Sequence, residues 1–227
     1  MTGQKGKLIV IEGIDGSGKA TQTKILVEKL NQVGFATATI DFPQYEKNFF
    51  GRMVRRYLNG EFGPATQVNP YLASILYAAD RWESAETIRQ YLARGKIVIL
   101  DRYYTSNLIH QSTKLKNPEI DDFIIWDESM EFNVFKIPQP DLVIYLHLDA
   151  AIAYELITKR GQGHDGHDTI GHLKQAEERC HYLAEKLGWL TIECSENGQL
   201  LEVKIIADDI WQKVKLNLNE ANLDILK

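Results

Sequence analysis

The sequence predicts an α/β protein in which helices cover both faces of a five-stranded parallel sheet. Three observations support this class. Apolar runs of strand length recur along the chain, longer stretches of helical period separate them, and the runs are continuous rather than alternating in polarity. Continuous apolar runs are typical of parallel strands, which are buried on both faces and joined by right-handed helical crossovers.

Strands and helices alternate along most of the chain. The predicted strands cover residues 8–11, 36–41, 97–100, 142–146 and 190–192. The predicted helices cover residues 19–32, 69–93, 150–159, 171–186 and 199–216. The second helix has the clearest start signal, because Asn69 suits the N-cap and Pro70 suits the first helical position.

Residues 159–171 form the one long irregular segment that lies between predicted helices. The segment contains four glycines and too few apolar side chains to pack. We therefore expect a mobile lid over a functional site. It also brings His164 and His167 close to His172, but no cysteine or glutamate stands at ligand spacing. This favours a solvated polar lid over a metal site.

Composition limits the class of protein. The chain has 227 residues, of which 44% are hydrophobic and 25% charged, values that fit one domain over residues 1–227 and exclude a disordered chain. The formal net charge of −5 argues against a nucleic-acid or membrane-surface binder. No apolar run approaches the roughly 18 residues of a membrane span, and no signal peptide is indicated.

Cysteine usage indicates the compartment. Cys180 and Cys194 are the two cysteines of the chain, and their spacing fits neither a disulfide framework nor a zinc site. We expect both to be reduced packing residues and the protein to be cytoplasmic.

The strongest motif joins the first strand to the first helix. Residues 13–19 match GxxxxGK, with a strand before them and a helix after them, which is the setting of a phosphate-binding loop. Glycines let successive N–H groups point inward, and the lysine reaches the β- and γ-phosphates of a nucleotide. The predicted ATP-binding residues are Gly13, Ile14, Asp15, Gly16, Ser17, Gly18, Lys19, Ala20 and Thr21.

The position after the lysine departs from the motif. A serine or threonine there coordinates Mg²⁺, whereas this chain has Ala20, whose methyl group cannot bind a metal. Two alternatives follow. Either Thr21 supplies the hydroxyl, or ATP oxygens, water and the carboxylates of Asp15 and Asp101 hold the ion.

A second group of polar residues follows the second and third strands. Residues 41–45 and 101–111 lie at C-terminal strand ends, where ligands bind in open α/β sheets. On the long helix between them, Tyr77 and Arg81 stand four residues apart on one face. Taken singly, Tyr77 suits a core position and Arg81 a surface position. In a chain that also has a phosphate loop, the pair indicates a site in which the ring stacks on a base and the guanidinium group binds the base or its phosphate.

Six segments of the chain follow one another in a specific order: GxDGxGKxTQ (13–22), FPxY (42–45), YLNGEFG (57–63), YAADR (77–81), DRYxxSNxxHQ (101–111) and IPxPDLVIYL (137–146). Through these segments the sequence resembles the thymidylate kinase family, from residue 7 to about residue 211. The resemblance implies a P-loop NTPase three-layer fold and transfer of the γ-phosphoryl group of ATP to thymidine monophosphate, with Mg²⁺. It also implies a homodimer packed through the long helices.

The same resemblance implies roles for individual residues. Tyr77 would stack on thymine, Arg81 and Asn107 would hydrogen-bond its edge, and Arg102 would clamp phosphates. Members of the family commonly carry arginine where this chain has Gln44, and Arg52 is the candidate that compensates. The implied substrate-binding residues are Phe42, Pro43, Gln44, Arg52, Tyr77, Arg81, Arg102, Tyr103, Asn107 and Gln111.

The implied catalytic residues are Asp15, Lys19, Arg102 and, from the lid, Arg160, while Asp15 and Asp101 are the candidate Mg²⁺ ligands. Two alternatives stay open. A deoxynucleoside kinase would need a base, for which Glu12 or Asp15 is the candidate. A nucleotide-binding protein without turnover is the third possibility, prompted by Ala20 and Gln44.

Overall fold

The computed structural model describes residues 6–160 and 169–222 and confirms the predicted sheet. All five strands are parallel, in the order β2-β3-β1-β4-β5. Their bounds lie within two residues of those predicted. The strands are β1 (Lys7–Glu12), β2 (Thr37–Asp41), β3 (Ile97–Asp101), β4 (Leu142–His147) and β5 (Leu190–Glu193).

Eight helices connect or flank these strands in the described part of the chain. The sheet order and right-handed crossovers place α1 on one face and the later crossover helices on the other. On the first face α8 packs beside α1, and on the second α3 packs on β3 and α7 on β4. The helices are α1 (Lys19–Gln32), α2 (Phe49–Leu58), α3 (Pro70–Ala93), α4 (Thr105–His110), α5 (Glu119–Glu128), α6 (Ala150–Arg160), α7 (Ile170–Leu187) and α8 (Val203–Asn222).

The centre of the sheet forms the core. In β1 the residues from Leu8 to Ile11 are at most 1% exposed, because the strand has neighbours on both sides and helices on both faces. The pairing of β1 with β3 sets Ile11 opposite Asp101. Since parallel strands end at the same edge, this register brings the segments after β1 and β3 side by side.

The start of α3 follows its sequence signals. The side chain of Asn69 caps the helix by accepting hydrogen bonds from the backbone N–H groups of Tyr71 and Leu72, at 2.9 and 3.4 Å, and Pro70 occupies the first turn. The first N–H groups of a helix have no partner within the helix. Asn69 supplies an acceptor for two of them, and Pro70 has no N–H group that would need one.

Some predicted boundaries were wrong. The helix expected from residue 199 begins at Val203, because Gln199–Leu200 pairs with Ser195–Glu196 in a two-residue hairpin. None of the predicted helix ranges covers α2, α4 or α5, and α5 continues into a π-helical turn, Ser129–Val134. Both ends of the predicted lid are helical, while residues 161–168 lie outside the described part. Among the described helices, none is long and apolar enough to cross a membrane.

Candidate active site

The loop after β1 curls as the glycine pattern predicts. Gly16 and Gly18 have φ angles of 86° and 88°, in the left-handed region that favours glycine. At Gly16 a Cβ would also lie 2.9 Å from the carbonyl oxygen of Ala153 in α6. The loop therefore packs closely against α6. Both the backbone conformation and the lack of space exclude a side chain at Gly16.

Lys19 lies inside the curl of the loop. Its Nζ donates to the carbonyl oxygens of Gly13 and Ile14, each at 2.9 Å, and the residue is buried. Burial lowers the pKa of Lys19, and the positive charge of Arg102 adds to that effect. Helix α1 begins here with no side-chain cap and no acidic residue in its first turn. Its N-terminal N–H groups are thus suited to an anion.

Arg102 follows β3 directly and faces the loop. Its N–H donates to the carbonyl of Ile11 at 3.0 Å, and its φ of 67° is left-handed, which is uncommon for a residue other than glycine. Nη2 lies 2.5 Å from Oδ1 of Asp15, and Nη1 lies 3.7 Å from Glu12. The guanidinium group is therefore held between the loop and β3.

The charges around Asp15 decide its protonation. Burial would raise the pKa of Asp15, but the charges of Arg102 and Lys19 outweigh it and hold the pKa well below its usual value. Burial would lower the pKa of Arg102. The negative charges of Asp15 and Glu12 outweigh this effect, so the pKa of Arg102 is raised. Asp15 is thus a carboxylate that binds protons weakly, which makes it a poor general base.

Glu12 forms hydrogen bonds within the protein that stabilise the fold. Its side chain is fully buried at the end of β1, and Oε2 accepts hydrogen bonds from the hydroxyl groups of Thr105 and Ser106 at 2.7 and 2.8 Å. These contacts join β1 to α4. They also disfavour the deoxynucleoside kinase alternative, since neither candidate base is exposed and unpaired.

An open pocket lies beside the phosphate loop. Its lining combines aromatic side chains with a few convergent polar and charged groups, which is typical of a small-molecule site. Most of the predicted substrate-binding residues line it, together with Leu58, Tyr45, Ser106 and His110. The predicted residues that line it are Asp15, Phe42, Pro43, Tyr77, Arg81, Arg102, Tyr103, Asn107 and Gln111.

Arg81 is fixed at the inner end of this pocket. The side chain is 2% exposed and pairs with Glu131, which is fully buried; Nε donates to Oε1 of Glu131 at 3.1 Å, and Nη2 donates to the same oxygen. Nη1 donates to the carbonyl of Tyr103 at 3.3 Å. These contacts engage three of the five N–H donors of the guanidinium group. Arg81 can therefore be held rigidly and still donate to a ligand.

Asn107 stands beside it with a defined amide orientation. Its Nδ2 donates to Oδ1 of Asp127 at 3.1 Å and lies 3.4 Å from Oε1 of Glu131. Nδ2 also donates to the backbone carbonyl of Ser74 at 3.3 Å. A backbone carbonyl accepts and cannot donate, so the nitrogen, and not the oxygen, must lie on this side. The amide oxygen remains as the acceptor for a ligand.

Asp127 and Glu131 were missed by the sequence analysis. Burial raises the pKa of both carboxyl groups; Arg81 opposes this at Glu131, whereas the charge of Glu131 adds to it at Asp127. The guanidinium group of Arg81 therefore favours ionisation of Glu131 over ionisation of Asp127. The sequence did contain one signal for them, because these two acids stand four residues apart in an apolar stretch. The same spacing is also typical of a half-exposed helix, so it did not identify a buried site.

Several predicted residues lie elsewhere. The amide of Gln44 donates to the carbonyl and carboxylate of Asp41, and Arg52 reaches the carbonyls of Glu46 and Lys47 at 3.5 and 3.4 Å. Neither side chain lines the pocket, so their contact with a monophosphate stays a prediction. The side chain of Arg160, at the end of α6, lies outside the described residues.

Of the two candidate metal ligands, Asp15 lies in the loop and Asp101 at the end of β3. Burial raises the pKa of Asp101, at the end of β3, and the charges of Lys19 and Arg102 oppose it. Asp15 lines the pocket and uses Oδ1 for Arg102. Ala20 and Thr21 are both exposed on the first turn of α1.

A phosphate loop on a 2-3-1-4-5 parallel sheet, beside a pocket lined by two arginines, is typical of a kinase that acts on small phosphorylated acceptors. The comparisons with known proteins are more specific. A family model described as thymidylate kinase matches residues 11–205, most of the chain. The chain belongs to the thymidylate kinase family, and it is an enzyme that phosphorylates thymidine monophosphate to thymidine diphosphate with ATP.

Individual relatives cover nearly the whole chain. Human thymidylate kinase is 28% identical over 215 residues, covering 92% of this chain and 93% of that protein. The enzyme of Mycobacterium tuberculosis is 32% identical over 192 residues, covering 84% and 86%. The solved structure of Candida albicans thymidylate kinase has a TM-score of 0.74 at 24% identity, covering 95% and 93%, which is a likeness of fold.

Proposed function

We propose that this chain selects thymidine monophosphate through Arg81 and Asn107 and transfers the γ-phosphoryl group of ATP to it across the phosphate loop. The observation that carries the proposal is the pair of buried acids behind these two residues. Glu131 holds the guanidinium group, and together with Asp127 it orients the amide of Asn107. The pocket is therefore preorganised as one donor next to one acceptor.

This pattern matches thymine and mismatches cytosine. Thymine has a carbonyl oxygen at O4, which accepts from Arg81, and an N–H at N3, which donates to the amide oxygen of Asn107. Cytosine has an amino group at the first position and a bare nitrogen at the second. Binding it would set donor against donor and acceptor against acceptor in a buried site, which costs far more than a missing methyl group.

Transfer of the phosphoryl group requires alignment and charge more than proton chemistry. Lys19 and the loop N–H groups would hold the β- and γ-phosphates. The ammonium group of Lys19 has a third N–H besides the two that bind the carbonyls of Gly13 and Ile14. Arg102, already beside Asp15, would face both nucleotides and stabilise the charge that develops on the transferred group. The acceptor is an anionic phosphate, so no strong base is needed. The catalytic role of Arg160 stays a prediction.

The residues present fit a Mg²⁺ ion. This ion prefers oxygen ligands and commonly keeps several waters. Asp15 offers a carboxylate at the pocket wall, and Asp101 offers a second one close to Lys19. The ion, when bound with ATP, would neutralise charge on the β- and γ-phosphates. We assign its protein contacts to these two acids rather than to Ala20 or the exposed Thr21.

Base selection can be tested by comparing two variants. Steady-state kcat/KM for thymidine, deoxyuridine and deoxycytidine monophosphates would be measured for Asn107→Ala and Tyr77→Ala. We expect Asn107→Ala to narrow the preference for thymidine over deoxycytidine monophosphate. Tyr77→Ala is the matched control, because stacking contributes about 1–3 kcal/mol to any pyrimidine and should raise every KM by a similar factor.

The opposite pattern would contradict the assignment: discrimination intact in Asn107→Ala, or abolished by Tyr77→Ala alone. The same ADP-release assay tests the alternatives. ADP formed with thymidine but not with its monophosphate would indicate a deoxynucleoside kinase. ATP binding without ADP formation, across a panel of monophosphates, would indicate a binding protein without turnover.

We further propose that the whole chain is one kinase domain that works as a cytoplasmic homodimer. Exposed apolar residues of α3 support the dimer, since Leu72, Ile75 and Trp82 lie on one side of the helix and are 40–63% exposed. The cysteines are free and buried, which is usual in a reducing compartment. Sedimentation should give a dimer for the unaltered chain and a monomer for Trp82→Glu.

A further inference from the structure

A cluster of histidine and glutamate side chains lies outside the site described above. His147 is the last residue of β4, and Glu177 and His181 stand one turn apart on α7. Nε2 of His147 lies 3.0 Å from Nε2 of His181 and 3.2 Å from Oε1 of Glu177. The strand end and one helix face therefore converge on a single point.

Two of these side chains are held by further contacts. Nδ1 of His147 lies 2.5 Å from Oε2 of Glu193 at the end of β5, and Oε2 of Glu177 accepts from the backbone N–H of Ala150 at 2.9 Å. A ring N–H bound to a carboxylate is the arrangement that fixes metal-binding histidines, because it directs the other ring nitrogen toward the ion. The contact with Ala150 likewise leaves Oε1 of Glu177 as the ligand atom.

We propose that His147, Glu177 and His181 form a binding site for a divalent transition-metal ion of the zinc class. The three ligand atoms lie within 4.8 Å of one another. Ligand atoms on a tetrahedron with bonds of about 2.0–2.1 Å are about 3.3–3.4 Å apart, close to the distances found here. Two imidazoles and one carboxylate suit zinc, whereas magnesium and calcium prefer oxygen ligands alone.

The site is open to solvent. The side chains of His147 and Glu177 are 15% and 20% exposed, and His181 is exposed. A water molecule could complete a tetrahedron on that side. Without an ion, Nε2 of His147 contacts both Nε2 of His181 and Oε1 of Glu177. A metal would replace these contacts and join β4 to α7, the elements before and after α6.

The test is metal binding by the full, untagged chain after treatment with a chelator. Zn²⁺ would be titrated by calorimetry, and Co²⁺ would be added as a probe whose visible absorption distinguishes four-coordinate from six-coordinate ions. The variants are Glu177→Gln and His181→Gln, each of which alters one ligand, and Glu193→Gln, which replaces the carboxylate that orients His147 with a neutral amide. Glu178→Gln is the matched control, because it removes an exposed charge from the same helix.

We expect about one Zn²⁺ per chain, a four-coordinate Co²⁺ spectrum, and affinity at least about tenfold weaker in either ligand variant. Glu193→Gln should weaken binding by about 10- to 100-fold. Glu178→Gln should bind as the unaltered chain does, and unchanged thermal unfolding and kinase activity would confirm that every variant folds.

Absence of stoichiometric binding by the unaltered chain would overturn the proposal. So would binding that survives in both ligand variants. A third arm replaces His164 and His167 together by glutamine; loss of the ion in that variant, with the cluster intact, would place the metal elsewhere and also overturn the proposal.

Discussion

Glu131→Gln removes a charge from the deepest part of the pocket while keeping the shape of the side chain. Glu131 is fully buried and Arg81 is 2% exposed, so the substitution leaves a buried guanidinium group without its counter-charge. Arginine cannot relieve this by losing a proton. Breaking a buried ion pair in this way costs about 3–5 kcal/mol in free energy of unfolding.

Asp127 places the expected loss of unfolding free energy at the lower end of this range of about 3–5 kcal/mol. The charge of Glu131 helps to raise the pKa of Asp127, so a neutral glutamine at position 131 lets Asp127 ionise more easily and replace part of the lost charge. We therefore expect a loss of about 3 kcal/mol. For a chain of this length, this corresponds to a fall in Tm of about 6–12 °C.

The assay is urea unfolding of Glu131→Gln, with Glu128→Gln as the control. Glu128 is half-buried three residues away and carries the same charge, and its replacement should cost less than about 1 kcal/mol. Asp127→Asn should be mild alone and clearly more destabilising when combined with Glu131→Gln. KM for thymidine monophosphate should rise in Glu131→Gln, since Arg81 loses its support.

A loss below about 1 kcal/mol in Glu131→Gln would refute the reasoning, because the pair would then contribute no more than an exposed one. Additive effects of Asp127→Asn and Glu131→Gln would refute the second step, in which Asp127 takes over the charge.

Three more predictions concern other parts of the molecule. Lys19→Ala should nearly abolish turnover in the ADP-release assay, and a kcat close to that of the unaltered enzyme would contradict the phosphate-loop assignment. Gly51→Ala should destabilise the fold by about 1–3 kcal/mol, since a Cβ there would lie 2.1 Å from the carbonyl oxygen of Gln44. Gly171→Ala is the control, because a Cβ at that helical position would meet no other atom within 4 Å. A similar loss of unfolding free energy in both variants would contradict the steric argument. Burial lowers the pKa of Lys114 to about 8, so between about pH 8 and pH 10 the unfolded chain binds the proton that the folded chain has lost, and this residue makes stability rise with pH. Urea unfolding should show a smaller rise for Lys114→Met, and an equal rise in both proteins would rule out this assignment.

Local signals in the sequence were sufficient where neighbouring residues determine the structure. The loop from Gly13 to Lys19 and the start of α3 at Asn69 depend on glycine conformations and helix capping, which short segments encode. The pair Tyr77 and Arg81 followed from helical spacing alone.

Contacts between distant segments were not predictable in the same way. Glu131 meets Arg81 across 50 residues through a π-helical turn that no local pattern indicates. The turn of Gln44 toward Asp41 depends on a loop conformation rather than on residue type. The spacing of Glu177 and His181 was visible, but the approach of His147 required the pairing of β4 with its neighbours.

The left-handed backbone at Arg102 has a consequence for protein engineering. An L-residue other than glycine in this conformation costs about 1–2 kcal/mol, which glycine would recover and asparagine would reduce. Replacing Arg102 by glycine would relieve the backbone but leave Asp15 and Glu12 without their counter-charge, and it would remove the charge proposed to face both nucleotides. Because the loss of a buried counter-charge costs more than the backbone conformation does, libraries for a robust kinase should keep position 102 fixed.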